Sequence, residues 1–218
     1  MYVIFDLDGT LYDTFPQIFA IYQQIREEFK LPPLDPDICR RQFQSTDWKK
    51  LYLSLGFSNG NVNQAIARFV ELDAEMKMPQ FIPGARDALL QAFMQYGQER
   101  VFFLTNHRRK GVEQRFARDS LSKCMPQVIT PYQGKALELE ILAKRAGEET
   151  VYIGDLVSDG CACQEARERG AHNLHFWAMT HEYGFNHPDD VREFVREHKE
   201  FAREVPSLAL LTLYLSPF

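Results

Sequence analysis

The chain begins with an uninterrupted apolar and β-branched run, Tyr2-Val3-Ile4-Phe5, and then turns abruptly acidic at Asp6. A short run of this kind predicts a buried strand. From Phe15 the spacing changes. Apolar side chains at Phe15, Ile18, Phe19, Tyr22, Ile25 and Phe29 follow a helical period, predicting a helix over 15–30. Pro32, Pro33 and Pro36 break it. Further helices are expected over 36–43 and 47–55, with turns at Gly56 and Asn59-Gly60. Val62, Ala65, Ile66, Phe69, Val70, Asp73 and Met76 then share one helical stripe with a single polar interruption. Nothing from Thr14 to Met78 alternates as a strand does.

Beyond Phe81-Ile82-Pro83-Gly84 the rhythm becomes mixed. Helices are expected over 85–96, 110–119, 135–146, 159–169 and 188–201. Strands are expected over 101–105, 127–130, 151–154 and 173–177. The last dozen residues fit helix or strand equally. Short, continuously apolar strands alternating with helices imply a parallel sheet covered on both faces. The expected fold is therefore α/β: a three-layer, doubly wound parallel sheet with an all-helical cap inserted after the first strand. The core takes residues 1–13 and 82–218 and the cap 14–81. Linkers near Thr14 and Ile82 would form a hinge that opens and closes the cap over a site.

Composition changes this picture little. The 218 residues, 45% hydrophobic and 25% charged, are ordinary for a globular chain. A net charge of -5 offers no basic footprint for nucleic acid. Cys39, Cys124, Cys161 and Cys163 lack the spacing of a zinc array and read as free thiols of a reducing, cytoplasmic compartment. No signal peptide fits the acidic start, and the apolar run Leu208–Leu215 is too short to span a membrane. That run is expected to pack as a terminal element. His172, His175, His181 and His187 form no ligand pattern. The oligomeric state is not legible.

In open parallel sheets, ligands bind beyond the carboxyl ends of the strands. Asp6 and Asp8 follow the first strand and, two apart, point the same way. Thr105 and Asn106 follow the second, Lys135 opens the helix after the third, and Asp155 and Asp159 follow the fourth. Gly9 permits a sharp turn directly after the acidic pair. These residue types suit phosphoryl transfer. Carboxylates hold Mg²⁺, one of them can attack phosphorus, and another can move the proton. Lys135 would neutralise charge on the transferring group.

Asp6-Leu7-Asp8-Gly9-Thr10-Leu11-Tyr12-Asp13 resembles the first motif of the haloacid dehalogenase-like hydrolase superfamily. Phe102-Phe103-Leu104-Thr105-Asn106 resembles the second, Lys135 falls where the third-motif lysine is expected, and Gly154-Asp155-Leu156-Val157-Ser158-Asp159 resembles the fourth. The helical block resembles the cap of the phosphoglycolate phosphatase-like members. The resemblance implies a HAD-like, Rossmannoid core and a Mg²⁺-dependent phosphatase acting on a small phosphorylated metabolite through an aspartyl-phosphate. Asp6 would be nucleophile and metal ligand. Asp8 would be general acid/base, with its backbone carbonyl on the metal. Asp155 and Asp159 would serve the metal directly or through water, Asp159 alternatively orienting Lys135. Thr105, Asn106 and Lys135 would bind phosphate. Two departures stand out: Lys135 follows Gly134 where many relatives have a Lys-Pro context, and Cys39 to Lys50 lacks the glycine expected of many such caps.

Several other readings stand beside this one. Asp6 and Asp8 fit a surface turn, and Asp155 and Asp159 a helix cap with a first-turn acid. A calcium loop fits poorly, because Leu11 and Gln17 occupy its glycine and glutamate positions. The aromatic spacing from Phe15 to Phe29 reads as cap core. Arg40, Arg41, Lys49 and Lys50 are the cap cations expected for a substrate's distal group, or else a solvated face. His107-Arg108-Arg109 is an unusually basic continuation that fits phosphate or product binding. A sugar-phosphate mutase uses the same acid pair, and a non-catalytic HAD-like binding protein would keep the fold alone. A dehalogenase has no use for the acid at Asp8, and a phosphonate hydrolase would require a cap lysine such as Lys49 or Lys50.

Overall fold

The computed structural model describes residues 1–43, 47–75, 77–131 and 134–216. Its centre is β1 (Tyr2–Phe5), which pairs in parallel with β2 (Val101–Leu104) on one side and β4 (Thr150–Gly154) on the other. With β3 (Val128–Ile129), β5 (Leu174–Met179) and β6 (Ala202–Val205), the strands form a six-stranded, all-parallel sheet in the order β3-β2-β1-β4-β5-β6. The strand order reverses at β1, so a crevice opens at its carboxyl end.

Alternating side chains on the strands feed two separate cores. Val3, Phe5, Val101, Phe103, Val151 and Ile153 face α5 (Ala85–Tyr96), α6 (Arg109–Arg118) and α10 (Leu208–Tyr214). Ile4, Leu104, Tyr152 and Phe176 face α7 (Lys135–Ala146), α8 (Val157–Glu168) and α9 (Pro188–Glu197). The three-layer α/β expectation is met.

The helical block comprises α1 (Phe15–Glu28), α2 (Pro36–Gln42), α3 (Trp48–Ser54) and α4 (Val62–Glu75) around a core of its own. Asp35 and Asp47 start α2 and α3 by accepting the first free backbone N–H groups. Buried Arg26 donates to the carbonyls of Pro32 and Leu55, tying two loops to α1. The two connections to the sheet run side by side. Asp13 N donates to Gln80 O and Ile82 N to Leu11 O, each at 2.9 Å, and the Tyr12 and Phe81 rings stack at 4.6 Å.

Four expectations need correction. The strand β6 has no counterpart in the pattern analysis, because Ala202-Arg203-Glu204-Val205 carries two charges. Only Ala202 and Val205 are buried in this edge strand. The ambiguous terminus is the helix α10, started by the Ser207 hydroxyl, which accepts Leu210 N at 3.2 Å. The fourth-motif helix begins two residues earlier than expected, at Val157, and α9 stops at Glu197 rather than running to 201. Met76, the last residue of the expected stripe, lies outside the described residues.

Candidate active site

The chain leaves β1 into a buried carboxylate. Asp6 is 3% exposed, which rules out a surface turn. Its Oδ1 accepts a hydrogen bond from Lys135 Nζ at 2.9 Å. Lys135 stands at the start of α7, equally buried, and also donates to Asp159 Oδ1 at 2.8 Å and to the Tyr152 hydroxyl at 2.7 Å. The Tyr152 hydroxyl in turn donates to Asp159 Oδ1 at 3.0 Å. Asp159 has a second task as well: its Oδ2 accepts Leu156 N at 3.3 Å and holds the start of α8.

Asp155 follows β4 and is fully buried. The Thr10 hydroxyl donates to its Oδ1 at 3.1 Å, and Phe185 N to its Oδ2 at 2.6 Å. Gly9 makes this approach possible. It sits at φ 77°, and a Cβ there would stand 2.5 Å from Asp155 Oδ2.

Asp6, Asp155 and Asp159 each offer an oxygen within 4.8 Å of the others. Among the described residues they form the one group of three or more His, Cys, Asp or Glu arranged to hold an ion. Burial pushes the Asp6 carboxyl well up, Lys135 opposes this, and the neighbouring Asp159 and Asp155 add to it. Burial, then the charge of Asp159, pushes Asp155 up to about 7. Burial acts to lower Lys135, but Asp159 and Asp6 outweigh it and the ammonium is held charged. Ionising all three buried carboxylates against one ammonium would leave negative charge in excess, and an all-oxygen donor set matches a hard divalent cation.

Asp8 is separate from that cluster. Its side chain turns to Arg115, which donates to Oδ1 at 2.6 Å, and the Thr105 hydroxyl lies 3.5 Å from Oδ2. Burial would raise the Asp8 carboxyl, but Arg115, helped by His107, outweighs it and holds the group below its ordinary value. Thr105 is buried at the end of β2, where its Oγ1 accepts His107 N at 3.1 Å. Asn106 is exposed on the rim.

These residues floor a cavity of about 420 Å³ whose roof is the helical block. Asp6, Asp8, Thr105, Asn106 and Lys135 all line it. Asp155 and Asp159 stand behind it, against Asp6. The cap cations expected to reach the substrate do not line it. Arg40 stacks on the Phe15 ring at 3.6 Å and donates to Glu182 O, and Arg41 pairs with Asp190 at 2.6 Å. Lys49 and Lys50 face solvent on α3. The basic residues on the cavity wall are instead His107, Arg108 and Arg115 from the sheet side, whereas Arg109 turns away to Val128 O and Glu113. Nor is the helix-spaced aromatic series purely cap core, since Ile18 and Tyr22 reach the cavity.

Pattern analysis missed Arg115, Tyr152 and Phe185. Arg115 sits among many exposed arginines, 107 residues from Asp8, with nothing local to distinguish it. Tyr152 had one available signal, a hydroxyl inside a doubly covered strand. Phe185 acts through its backbone, which side-chain identity does not report.

Comparison with known proteins agrees with this geometry. The family model described as haloacid dehalogenase-like hydrolase matches residues 3–170. A phosphoglycolate phosphatase of Synechococcus elongatus is 26% identical over 213 residues, covering 94% of this chain and 93% of its own. A haloacid dehalogenase-like family hydrolase from Streptococcus pneumoniae superposes with a TM-score of 0.74 at 16% identity, covering 98% of this chain and 97% of its own. A HAD family hydrolase from Deinococcus radiodurans, solved with bound phosphate and sodium, gives 0.69 at 21% identity, covering 96% and 92%. With buried acids at the carboxyl ends of β1 and β4 and a family match over most of its length, the chain belongs to the haloacid dehalogenase-like hydrolases.

Proposed function

We propose that the protein is a Mg²⁺-dependent phosphatase that hydrolyses a small phosphorylated metabolite through an aspartyl-phosphate on Asp6. One observation carries the reading: Asp6 lies on the cavity floor, held by Lys135 at 2.9 Å, with two more carboxylates within 4.8 Å. The named relative from Synechococcus, a phosphoglycolate phosphatase, and the phosphate bound in the Deinococcus structure support the same chemistry. Asp6, Asp155 and Asp159, with the backbone carbonyl of Asp8, would hold Mg²⁺, which supplies charge neutralisation for the incoming phosphoryl oxygens.

Lys135 orients Asp6 and offsets charge on the phosphoryl group. Asp6 attacks phosphorus in line, and the bond to the leaving oxygen breaks. Asp8 gives that oxygen its proton. Later Asp8 takes a proton from water, whose oxygen attacks phosphorus, releases phosphate and restores Asp6. The ion pair with Arg115 keeps Asp8 ready for the second half. A phosphate dianion beside Asp8 raises its proton affinity for the first half, because like charges disfavour ionisation. Thr105 and Asn106 supply further contacts to phosphate oxygens. The cap, residues 14–81, moves on its paired linkers and excludes water while Asp6 reacts. The four free cysteines, three of them buried, agree with a reducing, cytoplasmic setting. No described helix is long and apolar enough to cross a membrane.

Phosphate release from p-nitrophenyl phosphate and a panel of phosphorylated metabolites, with and without Mg²⁺, tests the reading. Release requires the metal, and Asp6→Asn lowers kcat by roughly a thousandfold or more. A fully active Asp6→Asn enzyme would remove the covalent mechanism. No hydrolysis of any ester would remove the phosphatase.

A further inference from the structure

The wall facing Asp6 determines what can be attached to the phosphate. On the cap side it is built from apolar side chains, chiefly Tyr22, Trp48, Ile66 and Phe69. Their rings form one packed surface: Phe69 lies 5.4 Å from Tyr22 and 5.3 Å from Trp48, centroid to centroid. Trp48 is nevertheless 48% exposed, on a helix that otherwise buries its apolar face. This half-exposed indole lines the cavity and is apolar area open to a ligand there.

The polar groups on this wall point the same way. Among the described residues no cap cation lines the cavity, and the charged cap residue that does is Asp73, which repels a carboxylate. On the sheet side, Arg115 is engaged by Asp8 at 2.6 Å. Burial, opposed by Asp8, holds the His107 imidazole below its ordinary pKa and so disfavours its charged form. Arg108 remains, exposed at the rim. A short anionic leaving group such as glycolate would thus extend from Asp6 against an apolar cap wall, with the exposed Arg108 on the sheet side left to meet its charge.

We infer that the cavity selects phosphate esters whose leaving alcohol carries a flat, apolar ring, which stacks against Trp48 and Phe69 while the phosphate meets Asp6 and Lys135. This rests on the phosphatase reading and names its substrate class. Ring burial on an aromatic surface favours such an ester through apolar area and face-to-face or edge-to-face contact. A small carboxylate ester gains neither and has only the exposed Arg108 to meet its charge.

Benzyl phosphate and 2-phosphoglycolate test it, because both are esters of primary alcohols and differ mainly in what the cavity wall meets. Benzyl phosphate is hydrolysed with a kcat/KM about tenfold or more higher, the difference lying in KM. Trp48→Ala, at a half-exposed position, lowers kcat/KM for benzyl phosphate by about tenfold and for 2-phosphoglycolate by much less. Equal or better turnover of 2-phosphoglycolate overturns the inference, and selective loss of that turnover in Arg108→Ala would assign its carboxylate to Arg108. An equal effect of Trp48→Ala on both esters also overturns it. If 2-phosphoglycolate is hydrolysed as well as or better than benzyl phosphate, the phosphatase reading survives while this inference falls. If no ester of any kind is hydrolysed, both fall.

Discussion

The Lys135 ammonium touches Asp6, Asp159 and Tyr152 within 2.9 Å, and each contact gives it a different constraint. Asp6 is the group it orients, Asp159 ties it to α8, and Tyr152 closes its last donor direction. Such a fully satisfied ammonium is what a buried lysine requires to stay charged. His181 shows the opposite outcome. Burial drives its pKa down to about 4, with the charge of Arg40 acting in the same direction and its own backbone opposing. Its Nδ1 accepts Tyr183 N at 3.2 Å, and its Nε2 is buried without a partner. The folded state therefore holds this ring neutral where the unfolded chain would protonate it. Because the folded pKa is the lower one, the unfolded state binds more protons between about pH 6.5 and 4. The stabilisation is complete above that window and lost as the pH falls through it. Going from pH 7 to pH 5 costs about 2 kcal/mol through His181. Urea unfolding at the two pH values checks this: His181→Gln loses less stability on acidification than the parent by that amount.

At the scale of elements, the loop between β5 and α9 joins the sheet to the helical block. Phe185 donates its N–H to Asp155 and inserts its ring between Phe15 of α1 and Phe43 beyond α2, at 5.7 and 5.1 Å. Next to it, Asn186 accepts Val157 N at 2.7 Å and donates to Arg40 O and Phe43 O at 3.1 and 2.9 Å. A single buried amide thus satisfies the start of α8 and the end of α2. Asn186→Ala leaves those groups without partners and costs about 1–3 kcal/mol. Hydrogen exchange locates the loss. The amides of α2 exchange faster in the variant, while those of β1 and β4 are unchanged. Uniform acceleration across the chain would mean that Asn186 stabilises the whole fold rather than this junction. The expectation of a cap over 14–81 came from helical periodicity, but the junction was not legible. It depends on one asparagine and on backbone carbonyls that have no signature in a pattern of side chains.

For the molecule as a whole, α10 closes the core beneath β1. Leu208, Leu211 and Leu215 are buried there with Ala85, Ala88 and Leu89 of α5. Removing residues 206–218 exposes that surface. At roughly 1.5–3 kcal/mol for each buried leucine, the loss is about 5 kcal/mol or more, comparable with the whole stability of many domains. The shortened chain should unfold at a markedly lower temperature, or fail to fold, in thermal melts followed by circular dichroism. An unchanged melting temperature would show that α10 is dispensable to the core.

The order of apolar runs and helical stripes by itself determined the three-layer parallel sheet and the helical block between its first two strands. It also placed Asp6, Thr105, Lys135 and Asp155 at one rim, since a parallel sheet brings every strand's carboxyl end to the same edge. These are consequences of period and direction, which are local properties of a chain. Only the tertiary structure decided that Asp8 turns from the acidic cluster to Arg115, that Arg40 and Arg41 brace the junction instead of facing the cavity, and that Trp48 and Phe69 form its roof. Those outcomes depend on which partners a side chain meets in space, for Asp8 and Arg40 more than a hundred residues away. A charged or aromatic residue looks the same in sequence whether it lines a cavity, pairs on a surface or packs in a core.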